Sequence, residues 1–503
     1  MTPEHARARV LSPSDPNAGS ISMTRSKEAK TLHGSPGSIV SNPEQEKGNP
    51  NMKYKKILAS SVAKLDSDVY TGGGTDDTAA LQAVLDEARD GTTGIWLVMD
   101  GAALVSGLDL YSNTTIECLS RDCGFFQPAD SNRSIVSNKD WDFGERKTRN
   151  ISLLGGTYNQ DCKHQAHHVQ CPEGTREHDN FPGEHWIFTL EFYGVEYLTV
   201  RDLVIRNFRT FSTTIGNFRN VLIENVWLDL PDKMYAQNQD GFHFWGPGQF
   251  LTVKNVGGDV GDDFMNIGPD EHDGVSSITD VLVDGVMLDH ADQAIRLLSH
   301  RYGTLDRVTI RNVTGTYRSF GFYVNCWFPG KTYGDFKNIF IENVDLREDP
   351  PVYDYRESFL FSIGGNVEYL TLKNIRHHNP RDSRPLIELG LPFYDTAFQF
   401  PEDNLPRMQN IVLDGLSTFE QSEESRQTDY IRVFAPIDRL VLRDVMITRC
   451  GSTAPDGHLI AFRHQGCIDK LYMQNITTNG LKRLIDDETK IEKIFSTNVI
   501  TEK

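Results

Sequence analysis

The sequence predicts an all-β fold: a single-stranded, right-handed parallel β-helix of about ten or more rungs, with a capping helix at its N-terminal end. Three observations predict it. A pattern of apolar-x-apolar-x-(Asn/Asp/Gly)-apolar recurs ten times from Leu198 to Ile476, and its alternation is that of a strand with one buried face. Its fifth position falls at residues 202, 225, 255, 285, 312, 343, 374, 415, 444 and 475, mostly 23–31 apart, which is a solenoid period. That position is always Asn, Asp or Gly, the residues that tolerate a left-handed bend, and stacked asparagines there can bond to one another along the axis. Leucine-rich repeats would need L-x-x-L-x-L spacing and helical connections, and neither is present.

In chain order, residues 1–52 are rich in Ser, Pro, Gly, Asn, Glu and Lys, and predict a disordered N-terminal extension ahead of one β-helix domain at 53–503. They lack the apolar stretch of an export signal, and the apolar part after Met52-Lys-Tyr-Lys-Lys is too short for one. The expectation is a start near Met52 and a cytoplasmic protein, or a secreted one if the natural start differs. A glycine-rich turn, Thr71-Gly-Gly-Gly-Thr75-Asp76-Asp77-Thr78, then precedes apolar residues Leu81, Val84, Leu85 and Ala88 at helical spacing. This predicts an amphipathic helix of about four turns, capped by Thr75 or a neighbouring Asp, ended by Gly91, and covering the open end of the solenoid. With no G-K-[ST] the turn is not a phosphate loop. Thr114–Cys118 and Ile151–Gly156 read as irregular first rungs, and the proline-rich stretch between 375 and 411 as a lateral loop.

A net charge of −19 argues against a nucleic-acid or anionic-membrane partner, and no apolar run is long enough to span a bilayer. The seven cysteines (118, 123, 162, 171, 326, 450 and 467) form no paired C-x-x-C motif and read mostly as buried thiols. Cys162, His164, His167, His168 and Cys171, with His178 and His185 beyond, fit no standard zinc template and read as a surface loop. Asp270, Glu271 and Asp273 read as a solvated acidic loop. No cofactor or metal is implied.

Chemistry concentrates in Asn238-Gln239-Asp240-Gly241 and Gly261-Asp262-Asp263-Phe264, whose aspartates lie 22 and 23 residues apart. One coil of that length would stack them on neighbouring rungs, about 5 Å apart. Paired carboxylates on one face suit acid/base cleavage of a glycosidic bond. The strands that follow place Phe242, Phe244, Met265, Ile267, Ile295, Leu297, Phe322 and Val324 inside. They turn His243, Trp245, Asn266, Arg296, Leu298, Tyr323, Asn325 and Trp327 outward onto one shared face, where rings suit sugar faces and Arg suits a carboxylate. A single Asp at a turn commonly satisfies backbone amides; three at one-coil spacing, facing Arg296, point to function.

Here the chain resembles the family-28 glycoside hydrolases, the polygalacturonases. Asn238-Gln239-Asp240 resembles their N-T-D motif, Gly261-Asp262-Asp263 their D-D motif, and Ile295-Arg296-Leu297-Leu298 stands where R-I-K would fall. Thr75–Thr78 resembles the N-terminal signature of the wider pectin-lyase-like superfamily. The resemblance implies an inverting hydrolase with Asp262 as general acid and Asp240 and Asp263 activating water. It also implies a carbohydrate partner, for which Asn238, the outward-facing His243, Trp245, Arg296, Tyr323 and Asn325, and His272 are the candidate binding residues. Two departures stand out: Leu298 replaces the family's lysine, and the G-H-G rung is missing, with His272 the candidate replacement. They imply a divergent branch acting on another pectic or plant-derived linkage. Alternatives on the same scaffold are a polysaccharide lyase, with Arg296 as the basic group, and a non-catalytic carbohydrate-binding β-helix.

Overall fold

The computed structural model describes residues 53–165, 187–233, 238–326, 332–350, 358–378, 385–391, 404–420, 429–449, 457–481 and 483–502. The proposed N-terminal extension, Trp327, His167, His168, Cys171, His178, His185 and Cys450 lie outside them.

The described strands pair in parallel, those between the two ends with the coil before and the coil after, as a parallel β-helix requires. The predicted repeats fall into strict register: Leu198 lies opposite Val221, then Leu251, Val281, Val308, Ile339, Leu370, Ile411, Leu440 and Leu471. Each of these side chains is buried in one continuous interior. A second column, Phe242, Met265, Ile295, Phe322, Phe361, Ile387, Ile431 and Ile460, points into the same interior from the strands after the bend. Ile387–Leu389 is therefore a rung strand within the stretch read as a lateral loop.

The bend between these strands explains the fifth position. All ten predicted residues have positive φ, from 50° to 87°, where Asn, Asp and Gly cost least. Their side chains form ladders: Asn255 donates to Asn225, Asn343 to Asn312, and Asn374 to Asn343, at 3.3, 3.1 and 3.1 Å. A second left-handed column lies just ahead of the repeat strands, at Asn113, Asn150, Tyr197, Asn220, Phe250, Asp280 and Arg307. The fourth repeat position is a charge ladder. Arg201, Glu224, Lys254, Asp284, Arg311, Glu342, Lys373, Asp414 and Arg443 alternate in sign on successive rungs. Opposite charges across paired strands favour this register over a slipped one.

The N-terminal helix spans Thr78–Leu85 and continues as a single 3-10 turn, Asp86–Ala88, so it is shorter than the sequence predicts. Leu81, Val84, Leu85 and Ala88 are buried against the interior. Gln82 bonds both the amide and the carbonyl of Asp109 (2.9 and 3.0 Å), satisfying an exposed sheet edge. Thr75 does not cap the helix: its hydroxyl donates to Asp66, while Asp76 accepts from the Thr78 amide and Asp77 from the amides of Lys64 and Leu65.

Candidate active site

The two aspartate clusters stack as one-coil spacing predicts. The Gly241 amide donates to the Asp263 carbonyl at 2.8 Å, and the Gly261 amide to the Gln239 carbonyl at 2.9 Å. Residue 241 must be glycine, because a Cβ there would lie 2.3 Å from the Phe264 carbonyl oxygen. Asn238 adopts φ of 57°, and its amide donates to Asp262 Oδ2 at 2.8 Å. The strand register aligns Thr214, His243, Asn266, Arg296 and Tyr323 in one outward column beside the carboxylates. Arg296 Nη1 donates to Asp263 Oδ2, and its guanidinium carbon lies 6.0 Å from the Tyr323 ring centre.

His243 joins this cluster to a carboxylate that sequence reasoning placed in solvent. Its Nδ1 is 3.2 Å from Asp240 Oδ2 and its Nε2 is 2.8 Å from Glu271 Oε2. Asn266 Nδ2 also donates to Glu271, at 3.1 Å, and His300 Nε2 lies 4.0 Å from it. Of the three acids read as a solvated loop, Glu271 thus faces the cluster, and only Asp273 is exposed. Asp270 is buried and accepts from the amides of His300, Arg301 and Gly303, fixing the turn that carries His300. His272 is not in the cluster but stacks on Phe143, with ring centres 3.8 Å apart; His300 is the histidine beside Glu271.

The outward face is present but covered, which corrects the expectation of an open row of sugar-facing groups. Trp245 is 2% exposed, stacked on Tyr193 and packed with Phe188 and Phe211 in a second apolar cluster. Tyr323 and Leu298 belong to a third, with Phe320 and Phe359. Asn325 is buried, donating to the Leu391 carbonyl and accepting from the Cys326 amide. Asp240, Asp262 and Asp263 are at most 4% exposed. The cluster's more accessible side chains are Arg296, His300 and Glu271, at 13, 11 and 19%.

Burial sets the electrostatics. It pushes the Asp240 carboxyl up to about 6 against the His243 hydrogen bond, with repulsion from Asp262 adding to the rise. Burial likewise raises Asp263 well above the usual carboxylate range; Arg296 pulls the other way, but Asp262 and Asp240 side with burial and prevail. His243 resists its own burial: Glu271 and Asp240 lift it to about 9, so it is a cation at neutral pH. Glu271 is held below its ordinary value despite burial, chiefly by the charge of His243. Asp263, Asp262, Asp240 and Glu271 all favour the charged form of Arg296 against burial. Asp240 Oδ1 and Asp263 Oδ1 are buried and accept no hydrogen bond among the described residues. The arrangement therefore sets two carboxylates of raised pKa, Asp240 and Asp263, between two cations, His243 and Arg296.

No family model matches this sequence, and no curated protein does. Among solved structures, the chain is similar to the family-28 exopolygalacturonase of Yersinia enterocolitica, at 13% identity and a TM-score of 0.41 over 90% of this chain and 78% of that one. It is similar to the exopolygalacturonase of Thermotoga maritima at 13% identity and a TM-score of 0.45, over 89% and 92%. It is also similar to the N-terminal fragment of bacteriophage phi29 gene product 12, at 13% identity and a TM-score of 0.48 over 88% and 71%. At these values the likenesses carry no argument about chemistry.

Proposed function

We propose that the protein is a glycoside hydrolase that cleaves a bond in a pectic or related plant saccharide by inverting acid/base catalysis. One observation carries this reading: Asp240, Asp262 and Asp263, from neighbouring rungs, converge with Arg296 on Asp263 and His243 on Asp240. Asp262 protonates the leaving oxygen. Asp240 and Asp263 activate the attacking water, and the rise of Asp240 to about 6 leaves it ionised yet more basic than a free carboxylate near neutral pH, which suits it to take the water's proton. Arg296 and His243 hold the charge that develops as protons move, and Arg296, with Glu271 and His300, stands on the more accessible side from which a saccharide would enter.

The elimination alternative needs a base at Arg296. The surrounding carboxylates hold that guanidinium charged, which argues against it. Incubation with a panel of pectic polysaccharides and oligosaccharides tests the proposal. Hydrolysis yields new reducing ends without absorbance in the unsaturated-uronide band. Reducing ends and absorbance rising together would replace the hydrolase with a lyase.

A further inference from the structure

We propose that Trp141, with the stacked pair Phe143 and His272 packed edge-on against it, presents a preformed stacking face for a pyranose ring, a subsite beside the acid cluster that sets affinity for the saccharide. The inference rests on the hydrolase reading for the identity of its ligand, and on independent geometry for its place. Glu271 belongs to the acid cluster, and the next residue, His272, leaves it to stack on Phe143 with rings 3.8 Å apart and 18° from parallel. Trp141 meets Phe143 edge-on at 6.1 Å and Tyr193 at 6.5 Å. Tyr193 in turn stacks on Trp245, which packs edge-on against His243 at 5.3 Å. A continuous row of rings thus runs from the surface to the side chain bonded to Asp240.

A lone exposed aromatic is ordinary. Two features set this one apart. First, Trp141 and His272 are both exposed, Trp141 by 52%, while the inner rings of the row, Tyr193 and Trp245, are buried. Second, the turn that carries Trp141 is held rigid. Asp142 Oδ1 accepts from the amides of Gly144 and Glu145 (2.7 and 3.1 Å), and Lys147 donates to its other oxygen. The Asp142 amide donates to Tyr193, and Asn217 donates to the Asp142 carbonyl, both at 3.3 Å. The indole is therefore presented from a fixed backbone, and ligand binding need not order it first. The apolar C–H face of a pyranose is the complement of such a surface.

The test is calorimetric binding of a panel of pectic oligosaccharides of defined length to the Asp262→Asn protein, with and without Trp141→Ala or Trp141→Phe, alongside steady-state kinetics in the native background. Trp141→Ala is expected to weaken binding about tenfold and to raise KM with kcat nearly unchanged, whereas Trp141→Phe, which keeps a ring, should lose less than about threefold. Equal affinity in the alanine variant and its parent, or no binding by the parent, overturns the platform. Tight, Trp141-dependent binding without turnover in the native protein would retain the platform and reject the hydrolase.

Discussion

The sharpest electrostatic consequence of the site concerns His243. Its side chain is 4% exposed and lies between Asp240 and Glu271. Burial alone would drive it neutral, yet the two carboxylates, Glu271 foremost, carry its pKa from 6.5 to about 9. That rise corresponds to roughly 3 kcal/mol favouring the cation in the folded protein. The sign follows from linkage. Because the folded value lies above the unfolded one, the stabilisation is complete below pH 6.5 and is lost as the pH rises through about 9. Replacing Glu271 by Gln keeps the shape of the site and removes the leading source of the rise. Burial then meets only Asp240 in opposition, and the imidazole should titrate well below its native midpoint. Histidine-selective NMR across pH 5 to 10 reads this directly. A native midpoint at or below 6.5, or a midpoint untouched by Glu271→Gln, would refute the bridged-cation description of the cluster.

Two further predictions concern the scaffold. Asn343 has φ of 55°, donates to Asn312 and accepts from Asn374, so Asn343→Ala should cost about 2 kcal/mol from left-handed strain and lost hydrogen bonds. Asn343→Gly should cost less, and urea denaturation that ranks glycine below alanine would contradict the left-handed ladder. Glu342→Lys puts a third cation between Arg311 and Lys373, and should destabilise the native protein by about 1 kcal/mol at low salt. High salt should erase most of that loss, and a salt-independent loss would mean that packing, not charge, is at stake.

The repeat was legible because every rung writes the same alternation, and the register that aligns Leu198 with Leu471 follows from it. The Asn/Asp/Gly bend was legible for the same reason. The second left-handed column was not, since Tyr197, Phe250 and Arg307 carry no local signature, and stacking on neighbouring rungs imposes their conformation. In the site, spacing brought Asp240, Asp262, Asp263 and Arg296 together. Alternation says which side of a strand Trp245 and Tyr323 occupy, but not what packs over them. Phe188, Tyr193 and Phe211 come from other rungs and build an apolar cluster outside the helix. Glu271 looked solvated because its partner His243 lies 28 residues away and is met only by coiling. His300 follows Arg296 by four residues, just past the end of the same strand, a spacing that could have drawn attention to it.

The central claim is that Asp262 donates the proton that releases the leaving sugar. The direct measurement is the rate of reducing-end formation by the native protein and by Asp262→Asn on the same pectic oligosaccharide, with circular dichroism on both. The account predicts turnover by the native protein, a loss of at least about a thousandfold in the variant, and unchanged spectra. A variant that keeps a near-native rate would contradict it.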